Sequence, residues 1–185
     1  MKFPDLFGTR IKLIQLSEDG LSDMYEYSKN PLLYRYLEFE PQKTIEDTTE
    51  YLHKLIKRSG AENAHYWFIS LIHNNKIIGS IGVHDIDWRK GNAEISYGLS
   101  PDSWGKGYFN EMLQIILKYL FVDKGFYRIY ATTRFDNEPS IRALRKVGFQ
   151  KEGTLRDYYL SKDGKRYDAV ILAILKNEYN KEGNK

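Results

Sequence analysis

The feature that most constrains the fold of this chain is a strand, turn, helix and strand unit between residues 93 and 133. An alternating run, Ala93–Leu99, leads into the turn Trp104-Gly105-Lys106-Gly107-Tyr108, and a strongly apolar helix is predicted from there to Lys124. The run Tyr127–Thr133 then has the pattern of a second strand. Because a crossover through a helix joins parallel strands, the sequence predicts a mixed α/β fold with a parallel strand pair at this turn.

The glycine turn has the features of a binding site for a phosphate group. Gly105 and Gly107 let the backbone bend so that several N–H groups point outward, and the following helix adds its positive N-terminal dipole. An ordinary tight turn would carry the same glycines. Familiar phosphate loops do not match: residue 110 is Asn110 where a dinucleotide fingerprint has its third glycine, and Lys106 is followed by glycine where a Walker loop has Ser or Thr. The lysine strand and catalytic loop of a kinase are also absent from the sequence.

Length and composition indicate one soluble domain. We expect a single domain over residues 1–185, with a frayed polar tail at about 177–185. The chain has no cysteine, which excludes disulfides and a thiolate nucleophile. Its net charge of +3 is scattered, without the basic block of a nucleic-acid-binding protein, and no apolar window reaches the length of a membrane span. We therefore expect a cytoplasmic protein with neither nucleic acid nor membrane as a partner.

The rest of the chain supplies further strands and helices to the same domain. Hydrophobic periodicity predicts additional strands at 9–16, 65–72, 77–83, 149–161 and 166–175, and helices at 18–28, 44–59 and 138–147. On the helix after the glycine turn, the polar residues Glu111, Gln114 and Lys118 form one narrow stripe that we expect to face solvent. Including the pair around the turn, the pattern predicts seven strands.

A second motif follows the glycine turn and carries a resemblance. Asn137-Glu138-Pro139-Ser140 begins thirty residues after Gly107, and Gly148-Phe149 ends the helix behind it. With Thr9–Leu13 and Ala93-Glu94-Ile95 in the same order, the chain resembles the GNAT superfamily of acetyl-CoA-dependent N-acetyltransferases over nearly its whole length. More narrowly, it resembles the ribosomal-protein N-acetyltransferase (RimJ/RimL-like) branch. The resemblance implies a mixed, mostly antiparallel sheet flanked by helices, acetyl-CoA as cosubstrate, and no metal.

The resemblance also implies how the cofactor is held. The CoA pyrophosphate would lie on backbone amides of the turn, and the pantetheine arm would pair with backbone near Leu99. The implied cofactor contacts are Leu99, Trp104, Gly105, Lys106, Gly107, Tyr108, Phe109, Asn137 and Ser140. Where the superfamily has Arg or Gln at the first motif position, this chain has Asp102, and a carboxylate does not help to bind an anion.

Two residues are implied in the chemistry. An acceptor amine must lose its proton before it attacks a thioester, so a general base is needed, and Glu94 is the candidate, acting directly or through water. The alternative is that Glu94 is a surface residue on an open strand face. Many superfamily members protonate the leaving thiolate with a tyrosine at the position of Leu144, so that role passes to Ser140. Ser140 could instead cap its helix, and the four histidines lack the spacing of a metal site.

The acceptor half of the site is the part that the sequence specifies least. Tyr34, Tyr36, Glu38 and Trp67 are the candidate lining residues, and the carboxylate of Glu38 would suit a cationic amine. The predicted function is direct transfer of an acetyl group to a primary amine, either a protein N-terminus or a small molecule, without a covalent enzyme intermediate. The alternative is a CoA-binding regulatory or scaffold protein without turnover. The sequence leaves open whether the protein forms a homodimer.

Overall fold

The computed structural model describes residues 3–161 and 163–182, and these form one continuous sheet with helices on both faces. The strands lie in the order β1-β2-β3-β4-β5-β6-β8-β7. Their bounds are β1 (Leu6–Phe7), β2 (Ile11–Gln15), β3 (His65–Leu71), β4 (Ile77–Asp87), β5 (Asn92–Leu99), β6 (Arg128–Arg134), β7 (Gln150–Leu160) and β8 (Arg166–Leu175).

Within the described residues, one neighbouring pair of strands is parallel. β5 and β6 run in the same direction, and the other neighbouring pairs are antiparallel. This confirms the predicted mixed sheet with its parallel pair. The described residues contain eight strands where seven were predicted, because the two-residue strand β1 pairs with β2. A strand of two residues is too short to show the alternating pattern that identifies longer ones.

The helices are divided between the two faces of the sheet. They are α1 (Leu21–Ser28), α2 (Ile45–Ser59), α3 (Tyr108–Lys118), α4 (Glu138–Lys146) and α5 (Lys176–Glu182). Residues of α3 and α4 share a core cluster with Trp67 and Ile69 of β3, whereas α1 and α2 pack with Tyr66 and Phe68 of the same strand. Alternate residues of β3 therefore serve two separate cores, as a strand buried on both faces requires.

The polar C-terminal segment is helical instead of frayed. Helix α5 covers residues 176–182, while residues 183–185 of the predicted tail lie outside the described part of the chain. The Glu178 carboxylate accepts hydrogen bonds from the Leu175 backbone N–H and the Gln150 amide, both at 2.8 Å. The ring of Tyr179 packs 5.2 Å from that of Phe121. The contacts with Gln150 and Phe121 join distant parts of the chain to a segment whose composition alone suggested fraying.

In the described ranges, none of the helices has the length and apolar character needed to span a bilayer.

Candidate active site

A cleft opens where β5 and β6 separate. Their register pairs run from Asn92 with Arg128 to Glu94 with Tyr130, and the described pairing ends there. Beyond this point β5 continues to Leu99 beside β4, and β6 continues beside β8. Neighbouring strands that stop pairing leave backbone edges facing a gap at their carboxyl ends, which is where open α/β sheets bind ligands.

The glycine turn lies at the end of β5 and begins α3. Gly105 and Gly107 have φ angles of 73° and 80°, in the left-handed region that favours glycine. Gly107 is the N-cap residue of α3, and no side chain caps the helix there. The first N–H groups of a helix have no partner within it, so those of Tyr108 and Phe109 remain available to an anion. The backbone of the predicted turn therefore suits a phosphate.

Arg10 and Glu111 fasten this turn to the edge of the sheet. Arg10 Nε lies 2.8 Å from Glu111 Oε2, and Arg10 Nη1 donates to the Lys106 carbonyl at 2.9 Å. Glu111 Oε1 accepts the backbone N–H groups of Thr9 and Arg10 at 2.8 and 2.7 Å. Glu111 was predicted to face solvent with the rest of its stripe, and that prediction is wrong for this residue, whose side chain is only 15% exposed.

The ionisation of Glu111 follows from these contacts. Partial burial works to raise the pKa of its carboxyl, but the backbone and side-chain donors of Arg10 and its neighbours outweigh burial and lower that pKa. The carboxylate therefore stays charged beside the Arg10 guanidinium. A Cβ on Gly107 would lie 3.3 Å from Arg10 Nη2. The Arg10 guanidinium therefore places a positive charge beside the turn, which the sequence did not predict.

Trp104 and Leu99 close the end of β5. The Trp104 indole N–H donates to the Leu99 carbonyl at 2.7 Å, while half of the Trp104 side chain stays exposed. The Leu99 side chain is buried in the core. The carbonyl of Leu99, where backbone pairing with pantetheine was expected, thus already has a donor. Asp102 and Lys106 are exposed at the turn.

Ser140 is joined to β5 through Tyr97. Asn137 is the N-cap of α4: its Oδ1 accepts the Ser140 backbone N–H at 3.4 Å, and its Nδ2 donates to Thr133 Oγ1 at 2.9 Å. The Ser140 hydroxyl is therefore not used as the helix cap, and lies 2.8 Å from the Tyr97 hydroxyl. Leu144, which occupies the position of the superfamily tyrosine, is fully buried in the core and offers no proton.

Tyr97 is a candidate site residue that the sequence did not indicate. Burial raises the pKa of its phenol, and the hydrogen bond with Ser140 opposes this only in part. Its ring packs edge-on against Phe109, with centroids 4.6 Å apart. Tyr97 thus remains a neutral phenol that contacts both the first turn of α3 and the hydroxyl of Ser140. A tyrosine three residues after Glu94 on the same strand was the available signal.

Glu94 occupies the last parallel pair before the cleft. It pairs with Tyr130 on one side and with His84 of β4 on the other. Ligand atoms of His84, Asp85 and Glu94 lie within 4.8 Å of one another, and His84 Nδ1 is 3.0 Å from the Asp85 carboxylate. His84, to which the sequence gave no role, therefore adjoins the candidate base.

An aromatic cavity of about 300 Å³ lies between α1, α2 and the strands β4 and β5. Small residues of the two strands form its floor: Ser80, Gly82, Ser96 and Gly98. The aromatic residues that line it are Tyr27, Tyr34, Phe39, Tyr51, Tyr66 and Tyr97. The volume is at the lower end of the range for small-molecule sites. Tyr97 is both a lining residue of the cavity and the hydrogen-bond partner of Ser140.

The four residues expected to line the acceptor site lie in different parts of the structure. Tyr34 lines the cavity, and burial raises the pKa of its phenol to about 12. The guanidinium of Arg134 lies over the ring of Tyr36, 5.5 Å from the centroid of that ring. The Glu38 carboxylate accepts the Leu160 backbone N–H at 2.8 Å and so joins its loop to β7. The prediction for Trp67 is wrong.

Trp67 belongs to the core on the opposite face of the sheet. Its side chain is fully buried, and the indole N–H donates to the Pro4 carbonyl at 2.9 Å. Its ring packs against Phe3 and Tyr119. In a strand buried on both faces, sequence alone does not say which alternate residues face which layer, and here the odd-numbered positions of β3 point toward α3.

The family of the chain follows from comparison with known proteins. Residues 10–150 match the model of the acetyltransferase (GNAT) domain. The chain is 30% identical over 174 residues to the uncharacterized N-acetyltransferase p20 of Bacillus licheniformis, covering 94% of this chain and 97% of the relative. It is 31% identical to the uncharacterized N-acetyltransferase YoaA of Bacillus subtilis, covering 94% and 98%.

A solved structure agrees with this assignment. The acetyltransferase (GNAT family) from Bacillus anthracis superposes with a TM-score of 0.83 at 26% identity, covering 94% of this chain and 99% of that one. The chain therefore belongs to the GNAT acetyltransferase family. It is an N-acetyltransferase with acetyl-CoA as its donor.

Proposed function

We propose that the chain transfers the acetyl group of acetyl-CoA directly to a primary amine, in the cleft between β5 and β6. The observation that carries the proposal is the convergence of three features at this cleft. The glycine turn lies at the end of β5, the Ser140–Tyr97 hydrogen bond lies across the gap, and Glu94 lies where the strands separate. We place the reaction in the cytoplasm, in keeping with a chain that has no cysteine.

The residues of the turn suit the diphosphate of CoA. The backbone N–H groups from Gly105 to Phe109 would hold the phosphates at the positive end of α3. Arg10 adds a guanidinium beside Gly107, although Glu111 shares its charge. This arrangement compensates for the exposed carboxylate of Asp102. Since the Leu99 carbonyl is occupied by Trp104, the pantetheine arm would pair with the backbone of β5 before Leu99.

Ser140 is proposed as the donor to the leaving sulfur. Acetyl-CoA supplies an activated acetyl thioester, and the chain has to stabilise the thiolate that departs. Because the pKa of Tyr97 is raised, its phenol keeps its proton; either hydroxyl can donate in its hydrogen bond with Ser140, and in the proposed role Tyr97 donates to Ser140 Oγ. The Ser140 O–H is then free to point into the cleft. Asn137 holds the helix turn that carries Ser140, and so acts as a positioning residue.

Glu94 is proposed as the general base for the acceptor amine. It lies on the same strand face as Ser96 and Gly98, which form the floor of the aromatic cavity. An amine that entered through the cavity would meet this carboxylate next to the cleft. His84 is a second candidate, since its imidazole lines the cavity and adjoins Glu94.

The nature of the acceptor and the branch of the family also belong to the proposal. Leu144 occupies the position of the superfamily tyrosine, and Ser140 is the hydroxyl that would act instead. This combination supports the RimJ/RimL-like branch, whose acceptors are protein N-termini. Among the relatives with a stated acceptor is the spermidine N(1)-acetyltransferase of Vibrio cholerae, 22% identical over 93% of this chain. The size of the cavity favours a small-molecule amine over a folded protein surface.

Amine-dependent release of CoA tests the proposed function. The purified protein is mixed with acetyl-CoA and a panel of peptides and small amines, and free thiol and acetylated product are measured together. The proposal expects one acetylated amine for each CoA released. Binding of acetyl-CoA, seen as a raised Tm, without release of CoA by any amine would support the scaffold alternative instead.

A further inference from the structure

We infer that the acceptor is a small primary amine carried on a flat aromatic body, with an anionic group at the end far from the amine. This inference rests on the proposed function and names the substrate class of the same site. It comes from three properties of the aromatic cavity: its floor, the charge of its walls and the position of Arg58.

The floor of the cavity makes room for a flat group. Ser80 pairs with Gly98 and Gly82 pairs with Ser96 in the register of β4 and β5, so four small residues lie side by side. A Cβ at Gly82 would run into the ring of Tyr66. The absence of a side chain there lets that ring lie across β4 as one wall of the cavity.

The walls carry almost no negative charge. Among the described lining residues there is no Asp or Glu. Burial raises the pKa of the Tyr27, Tyr51 and Tyr66 phenols, so these groups remain neutral at physiological pH. A polyamine placed here would lose the hydration of its ammonium groups without gaining a carboxylate, which is costly. Aromatic rings would instead stack on an aromatic body.

Arg58 supplies the charge for an anion. It lines the cavity from the last turn of α2, and its guanidinium lies 5.3 Å from the ring centroid of Tyr66. None of the ion pairs among residues 3–161 and 163–182 includes Arg58. Aromatic faces also attract cations, but Arg58 already covers one face and would repel a second positive charge.

The strand order sets the distance between the amine end and the anionic end of the acceptor. Tyr66 of β3 is separated from Ser96 of β5 by β4, and two strand spacings amount to about 10 Å. Glu94 and Tyr97 are on β5, at the cleft. The amine would therefore lie over β5 while the anion lies near Arg58, which excludes an amine and an anion on the same carbon.

A matched set of amines tests this inference. The probes are 4-(aminomethyl)benzoate, 4-(aminomethyl)phenylphosphonate, 4-methylbenzylamine, spermidine and a short peptide with a free N-terminus. Initial rates of CoA release at saturating acetyl-CoA give kcat/KM for each. We expect the two aromatic anions to exceed 4-methylbenzylamine and spermidine by about tenfold or more, as a charge-assisted hydrogen bond would provide. The ratio between benzoate and phosphonate identifies the preferred anion.

Substitution of Arg58 separates its charge from general effects. In Arg58→Gln, the ratio of kcat/KM for 4-(aminomethyl)benzoate to that for 4-methylbenzylamine should fall about tenfold or more, mainly through KM. Lys57→Gln, the neighbouring exposed cation on α2, should leave that ratio unchanged. A variant that fails to fold would lose its acetyl-CoA-dependent Tm shift and is thereby recognised. The conservative variant Arg58→Lys keeps the positive charge and should retain most of the ratio.

The outcomes distinguish this inference from the proposed function. Preference for spermidine or the peptide, or an unchanged ratio in Arg58→Gln, would overturn the substrate class while leaving acetyl transfer intact. No turnover with any amine, together with a clear acetyl-CoA-dependent Tm shift, would overturn both the substrate class and the proposed transfer.

Discussion

The hydroxyl oxygens of Ser140 and Tyr97 lie 2.8 Å apart and connect the first turn of α4 to β5 across the cleft. Forty-three residues separate them in the sequence. Their contact places a polar hydroxyl pair beyond the last register pair of the parallel strands, and we propose that it serves in place of the superfamily tyrosine, whose position is taken by Leu144.

Removal of either hydroxyl should slow turnover without loss of acetyl-CoA binding. We expect Ser140→Ala to lower kcat about 100-fold, as loss of one well-placed donor does, and Tyr97→Phe to lower it about tenfold. Because Tyr97 acts through Ser140, the double variant should be no slower than Ser140→Ala alone. Steady-state kinetics and the acetyl-CoA-dependent Tm shift measure both effects. Additive losses would contradict a shared role.

Substitution of Glu94 should alter the pH dependence of the reaction. Glu94→Gln is expected to lower kcat/KM by about 100-fold or more at neutral pH, because the amine then lacks a base. The loss should narrow as pH rises through the pKa of the acceptor amine, where the free amine no longer needs one. His84→Gln serves as the comparison over the same pH range. A larger loss in His84→Gln than in Glu94→Gln would transfer the role to the histidine.

The glycine turn can be tested with a closely matched control. Gly105 and Gly125 have φ angles of 73° and 74°, and a Cβ at either would meet no atom within 4 Å. Alanine at either position should therefore cost a similar amount of stability, about 1 kcal/mol. Only Gly105→Ala should weaken acetyl-CoA binding, by about tenfold or more, because Gly105 belongs to the proposed phosphate site and Gly125 does not. Equal affinities in calorimetric titrations would exclude the turn from cofactor binding.

The carboxylate of Glu111 should contribute stability that depends on pH. Since the donors around it lower the pKa of Glu111 in the folded state, its contribution is present above the unfolded-state pKa and is lost as pH falls through the folded-state value. We expect Glu111→Gln to reduce the free energy of unfolding by about 1–3 kcal/mol at pH 7. Urea unfolding at pH 7 and near pH 3 should show a smaller difference from the parent protein at the acidic pH. A difference independent of pH would be inconsistent with this account.

Much of the fold follows from local patterns in the sequence. Period-two runs predicted the long strands, and the helix predicted over 44–59 begins at a capping box formed by Thr44 and Asp47. The parallel pair was predicted from the crossover helix between β5 and β6. The strand β1 was not predicted because two residues are too few to show an alternating pattern. The helix α5 was not predicted because contacts with Gln150 and Phe121, more than its own composition, hold it in place.

The candidate site was predictable only in part, for the same physical reason. Gly105 and Gly107 were identified because a turn with positive φ requires glycine locally. Arg10 and Tyr97 were missed because their partners, Glu111 and Ser140, are 101 and 43 residues away. Such pairs leave no periodic pattern in a single sequence.

The most direct test of acetyl transfer at this cleft is the stoichiometry of a single reaction mixture. Parent protein and Ser140→Ala are each incubated with acetyl-CoA and each amine of the panel in turn, and free CoA and N-acetylated product are quantified by mass spectrometry. The account predicts equal amounts of the two products with the parent protein, and about 100-fold slower formation of both with Ser140→Ala. Acetyl-CoA binding by both proteins with no amine-dependent product, or equal rates in the two, would contradict it.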